Sequence, residues 1–100
     1  MARIHIAFQA GFRNDEVVLS ISGKEVFRKA KLTTRLRIGM AHALDLLVRD
    51  EPFELHLEFP GLRLRKSILL DPAKPVYLGV SLPPAGDPVL VVSHDAHGYL

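Results

Sequence analysis

The sequence has no cysteine, so neither a disulfide framework nor a thiolate metal site is open to it, and the core alone must supply stability. Long apolar runs are missing as well. Nothing approaches the ~20 apolar residues that span a bilayer as a helix, and residues 1–12 lack the apolar stretch and small-residue cleavage site of a secretory leader. The expectation is a cytoplasmic chain with no membrane partner, although a secreted chain stripped of its leader would read the same. An excess of one charge is also lacking. The formal net charge of +2 does not by itself imply a polyanion partner; all five histidines, exposed and protonated, would carry it toward +7 in mild acid.

Catalytic signatures are equally sparse. Gly23, Gly39 and Gly61 are scattered, and no phosphate-cradling Gly-x-Gly-x-x-Gly or Gly-x-x-x-x-Gly-Lys pattern occurs. Ser20, Ser22, Ser67, Ser81 and Ser93 lack the Gly-x-Ser-x-Gly elbow of a serine nucleophile. Glu54 and Glu58 share a face of one strand but stand about 13 Å apart, too far for a glycosidase acid and nucleophile. The reading leans away from an enzyme and assigns no catalytic, cofactor-binding or metal-ligating residue and no cofactor.

What is present is an ordinary globular composition, 48% hydrophobic and 24% charged over 100 residues. That length suits one domain, 1–100, which buries roughly two-thirds of its unfolded surface. The clearest signal is period-2 alternation, which sends alternate side chains to a core and to water. Phe53, Leu55, Leu57 and Phe59 alternate with Glu54, His56 and Glu58. Pro60-Gly61 then suits a reversal, and Leu62, Leu64, Ile68 and Leu70 resume the inward face. Val76, Leu78, Val80 and Leu82 predict a further strand, and Val89 to Val92 a last one. Towards the N-terminus, Ile4, Ile6 and Phe8 form one inward set and Val17, Leu19 and Ile21 another. A hairpin turn at Ser22-Gly23-Lys24 leads to a strand with Val26, Ala30 and Leu32 inward.

Residues 33–51 fit two periods. Leu36, Met40, Leu44, Leu47 and Val48 have helical spacing, with Thr33 or Thr34 as N-cap; Met40, His42, Leu44, Leu46 and Val48 have strand spacing. The rhythm of neighbouring strands favours a strand. The expected fold is all-β, an antiparallel β-sandwich of seven or eight strands, with one short helix near residues 34–50 as the variant.

Two features invite a ligand. His94-Asp95-Ala96-His97 offers zinc-type donors at the chain end, and His5, His42 and His56 fall on faces that read as exposed, where His5 and His56 would pair if they were cross-strand neighbours. A polar tail and solvated histidines are the favoured reading. The second feature is basic: Lys24, Arg28, Lys29, Lys31, Arg35 and Arg37, with Arg63, Arg65 and Lys66, hold nine of the thirteen lysines and arginines. Facing one way they would form a strip for anions; as edge-strand residues they would instead discourage aggregation. Stacking aromatics are few, with Phe12, Phe27, Tyr77 and Tyr99 as candidates, so nucleic acid ranks below a protein partner or another anion.

The expected function is a non-enzymatic binding or protein-interaction module using the loops Gly11 to Asp15, Thr33 to Gly39, Asp71 to Pro75 and Pro83 to Pro88. The alternative is a structural subunit of a homo-oligomer joined through Val18, Leu69, Leu90 and Val92. A small histidine-based metal-binding protein ranks last.

Overall fold

The computed structural model describes residues 1–94. Its strands are β1 (Ala2–Phe8), β2 (Asp15–Ile21), β3 (Lys24–Leu32), β4 (His42–Val48), β5 (Phe53–Phe59), β6 (Leu64–Leu70), β7 (Val76–Ser81) and β8 (Val89–Ser93). They form two four-stranded sheets, ordered β4-β1-β7-β8 and β3-β2-β5-β6. The all-β sandwich expected from the alternation is therefore what the chain builds. One pair departs from the antiparallel expectation: β1 and β7 run parallel, with Ile4 beside Val76 and Phe8 beside Val80. Alternation along a strand is the same in either direction, so it carries no information about this pairing.

The core is supplied chiefly by the four central strands. Ile4, Ile6 and Phe8 of β1, Val17 and Leu19 of β2, Leu55, Leu57 and Phe59 of β5, and Val76, Leu78 and Val80 of β7 are buried together. Central strands are covered along their whole length, which is why they alternate most cleanly in the sequence. Phe12 enters the same core from the β1–β2 loop, edge-on to Phe8 with ring centroids 5.7 Å apart and tilted against Phe59 at 6.1 Å. It is not available to stack on a base.

Edge strands depart from the expected faces. β3 shifts register against β2 between Asp15 and Val17 and again between Leu19 and Ser20, and Lys31 takes a positive φ of 60°. Phe27 thus lies opposite Leu19 and Lys29 opposite Val17. Phe27 and Lys29 share the side of the buried Leu19 and Val17, Phe27 half-buried and Lys29 exposed at the sheet edge; Leu32 is buried, and Val26 and Ala30 are exposed. On β6, Lys66 lies opposite the buried Leu57. Each edge of this sheet therefore carries an exposed lysine at a core-side register position, a charge that a pairing strand from another molecule would have to desolvate. Leu62 is also corrected: it belongs to a 3₁₀ turn, Pro60–Leu62, and stays largely exposed, with Arg63 in the left-handed region closing the turn.

No helix forms in 34–50. Arg35 to Met40 is a tight turn closed by an isolated bridge between its ends, with Ile38 and Gly39 donating backbone hydrogen bonds to the Arg35 carbonyl at 3.1 and 2.8 Å. β4 follows. Thr33 and Thr34 cap no helix. Thr34 Oγ1 accepts from the Phe12 amide at 3.0 Å and donates to the Gln9 carbonyl at 2.6 Å, while Thr33 Oγ1 accepts from the Asn14 amide at 3.0 Å. The two threonines fasten the β3–β4 connection to the β1–β2 loop.

Candidate interaction surface at the loop end

Strand directions sort the connections into two groups. Those after β1, β3, β5 and β7 (9–14, 33–41, 60–63 and 82–88) gather at one end of the sandwich; those after β2, β4 and β6 gather at the other. Three of the four loops expected to carry function thus share an end. Asp71 to Pro75 is at the opposite end, where the Asp71 carboxylate accepts from the Ala73 amide at 3.0 Å.

At the shared end the 35–40 turn projects Leu36, 94% exposed, and Ile38, 66% exposed. Arg35 and Arg37 alternate with them, and Arg13 and Arg63 stand on neighbouring loops. None of these four guanidinium groups meets a carboxylate at ion-pair distance among the described residues. The acids at this end are Asp15, which accepts from the Arg13 amide at 2.8 Å, and Asp87. On the other loops of this end, a groove of about 690 Å³ is lined by Gly11, Arg13, Leu62, Leu64, Leu82 and Pro84, among others. The end is thus both basic and apolar.

The two basic stretches do not face one way as a whole: Arg35, Arg37 and Arg63 reach the loop end, and the rest is divided between two strands. Residues 24–31 lie on β3 and 65–66 on β6, at opposite edges of one sheet, three strand spacings or roughly 14 Å apart. Two of these cations are also answered locally. Arg28 bonds Glu16 at 3.0 Å and Glu25 at 2.9 Å, which raises the guanidinium pKa and lowers that of Glu25 through the hydrogen bond they share. Arg65 bonds Glu58 at 3.0 Å.

Among the described residues the histidines are dispersed rather than clustered. His5 faces outward on β1 and contacts Asp45 of β4 at 2.8 Å. His56 faces outward on β5, in the other sheet, with Glu54 at 2.8 Å and Ser67 at 2.7 Å. They are not cross-strand neighbours. His42, expected on an exposed face, lies opposite the buried Phe8 and stacks on Phe27 with centroids 5.8 Å apart and an interplanar angle of 13°. Desolvation, and then the charge of Lys29, lowers its pKa. His94 contacts the Pro75 carbonyl at 2.9 Å, and Asp95 and His97 lie outside the described residues. Among the described residues no three His, Asp or Glu side chains gather as metal ligands.

The oligomer patch is divided too. Val18 is buried, Leu90 packs against the core, and Leu69 and Val92 are exposed. Of the remaining aromatic candidates, Phe27 is half-buried, Tyr77 lies 6.0 Å from His5, and Tyr99 falls outside the described residues. Among the described residues no helix is long and apolar enough to cross a membrane.

What sequence reasoning missed is Leu36 and Ile38. The loop Thr33 to Gly39 is among those expected to carry function, but Leu36 enters the reading only as part of the helical spacing and Ile38 in neither period; the signal for a presented tip is Arg-Leu-Arg-Ile-Gly, apolar residues alternating with arginine just before a glycine. Comparison with protein-family models, with curated proteins and with solved structures finds no match.

Proposed function

We propose that this chain is a non-enzymatic interaction module that binds through its loop end, and that its partner is a protein surface with acidic groups around an apolar pocket. The observation that carries this reading is the exposure of Leu36 and Ile38 in alternation with Arg35 and Arg37. A tip held by its own backbone bonds presents apolar groups without a large ordering cost. Burying one leucine side chain contributes roughly 1.5–3 kcal/mol to binding. The arginines supply orientation and faster encounter, and bind carboxylates through a planar fork.

The test is an amide NMR titration with a panel of synthetic peptides in which aspartate or glutamate alternates with leucine or phenylalanine. Heparin serves as a polyanion without apolar groups. Saturable shifts confined to 9–14, 33–41, 60–63 and 82–88, lost in Leu36→Asp and in Arg35→Ala/Arg37→Ala, are expected. Equal binding of heparin and peptide, or shifts centred on another part of the sandwich, would overturn the reading.

A further inference from the structure

The four edge strands differ in what they offer another strand. β3 carries Lys24, Glu25, Arg28, Lys29 and Lys31; β4 carries His42 and Asp45; β6 carries Arg65 and Lys66; β8, Val89-Leu90-Val91-Val92-Ser93, carries no charge. Its valines are open to solvent: Val89 is 48% and Val91 45% exposed. β8 pairs with β7 along one side, and among the described residues no strand occupies its other side. An edge of this kind presents a row of main-chain donors and acceptors that a second strand completes.

We infer that β8 is the contact through which two copies of this chain pair, antiparallel about a two-fold axis, joining their β4-β1-β7-β8 sheets into one continuous sheet. An antiparallel edge is complementary to its own copy, so each side contributes the same strand. Centred on Val91, the pairing sets Val91 against Val91, Leu90 against Val92 and Val89 against Ser93 of the second copy. Every facing pair is uncharged. The same operation on the other edges brings charges together. β3 would set Arg28 against Arg28 and β4 would set Asp45 against Asp45, while β6, centred on Ser67, would set Arg65 against Leu69 and Lys66 against Ile68 and bring four cations into one pairing. Like charges placed opposite one another oppose pairing, so among these edges β8 suits a second copy. The surface is separate from the loop end, and the two readings stand or fall independently.

Sedimentation of the full chain from low micromolar to near-millimolar concentration tests this. The expected mass rises from one chain to two and does so equally in high salt, because main-chain pairing is not screened as a loop-end arginine contact is. Val91→Lys should remain one chain throughout, with an unchanged unfolding midpoint, while Leu36→Asp should dimerise like the parent. Hydrogen exchange on the unaltered chain gives a second readout: protection of the outward-pointing β8 amides increases with concentration. A single-chain mass at every concentration, or a dimer whose formation Val91→Lys leaves intact, would overturn the inference. Should Val91→Lys fail to fold, absence of concentration-dependent protection in β8 would do the same.

Discussion

Gly11 leaves no room for a side chain. A Cβ placed there would lie 1.8 Å from the Leu82 carbonyl oxygen, and the residue holds a φ of +89°. Gly23, at a φ of +79°, has nothing within 4 Å of the same position. The two glycines separate backbone strain from steric overlap. Gly23→Ala should cost about 1 kcal/mol, the strain of a side chain in the left-handed region, while Gly11→Ala adds a clash and should cost about 3 kcal/mol or more. Urea denaturation of both variants checks the difference; equal losses would show that the Leu82 contact relaxes freely. His42 yields a prediction in pH. Its folded pKa is depressed below its unfolded value by desolvation and then by Lys29. The unfolded chain therefore binds the proton more readily, and stability falls as pH drops through the unfolded value near 6.5. His42→Phe keeps an aromatic ring against Phe27 and removes the proton. Between about pH 8 and about pH 5 its urea midpoint should decline less than that of the parent chain.

Elements show how closely burial and legibility go together. β5 is central, and its inward face of Phe53, Leu55, Leu57 and Phe59 is plain in the sequence because three of those four side chains are fully enclosed. Leu57→Ala should cost about 2 to 5 kcal/mol through lost transfer energy and the cavity left behind. An unchanged urea midpoint would show that this face is not the core. β3 was harder to read for a physical reason. It is an edge strand with two register shifts, so strict alternation from Val26 selects the wrong face, and Lys29, exposed at the edge, gives no sign of the face it shares with Phe27 until its partner strand is known. Residues 33–51 were ambiguous because β4 has enough leucine to satisfy both periods. The helix variant also placed Thr33 and Thr34 at an N-cap, although their hydroxyls serve loop amides 19 and 22 residues away. Such long-range partners leave no local pattern. Thr34→Val removes the acceptor for the Phe12 amide and should cost about 1–3 kcal/mol, measured as a shift in the urea midpoint.

At the scale of the whole molecule, proximity along the chain and proximity in the fold part company. Residues 24–37 read as one basic segment, yet the fold sends the β3 part along a sheet edge and delivers Arg35 and Arg37 to the loop end, where Arg13 and Arg63 join them from distant positions. That surface was legible only as three separate loops, since nothing local records which connections share an end. The same placement sets apart side chains that hold the fold from side chains it merely presents. Leu36 and Ile38 bury little, so Leu36→Ser/Ile38→Ser should change the unfolding free energy by no more than about 0.5 kcal/mol, the range of ordinary surface changes. Peptide binding at the loop end should weaken by at least tenfold as the apolar contribution is lost. Paired urea denaturation and titration of this double variant separate the two roles. A stability loss of several kcal/mol would mean that the turn packs against the domain, and unchanged stability with unchanged binding would move the interaction surface away from this tip.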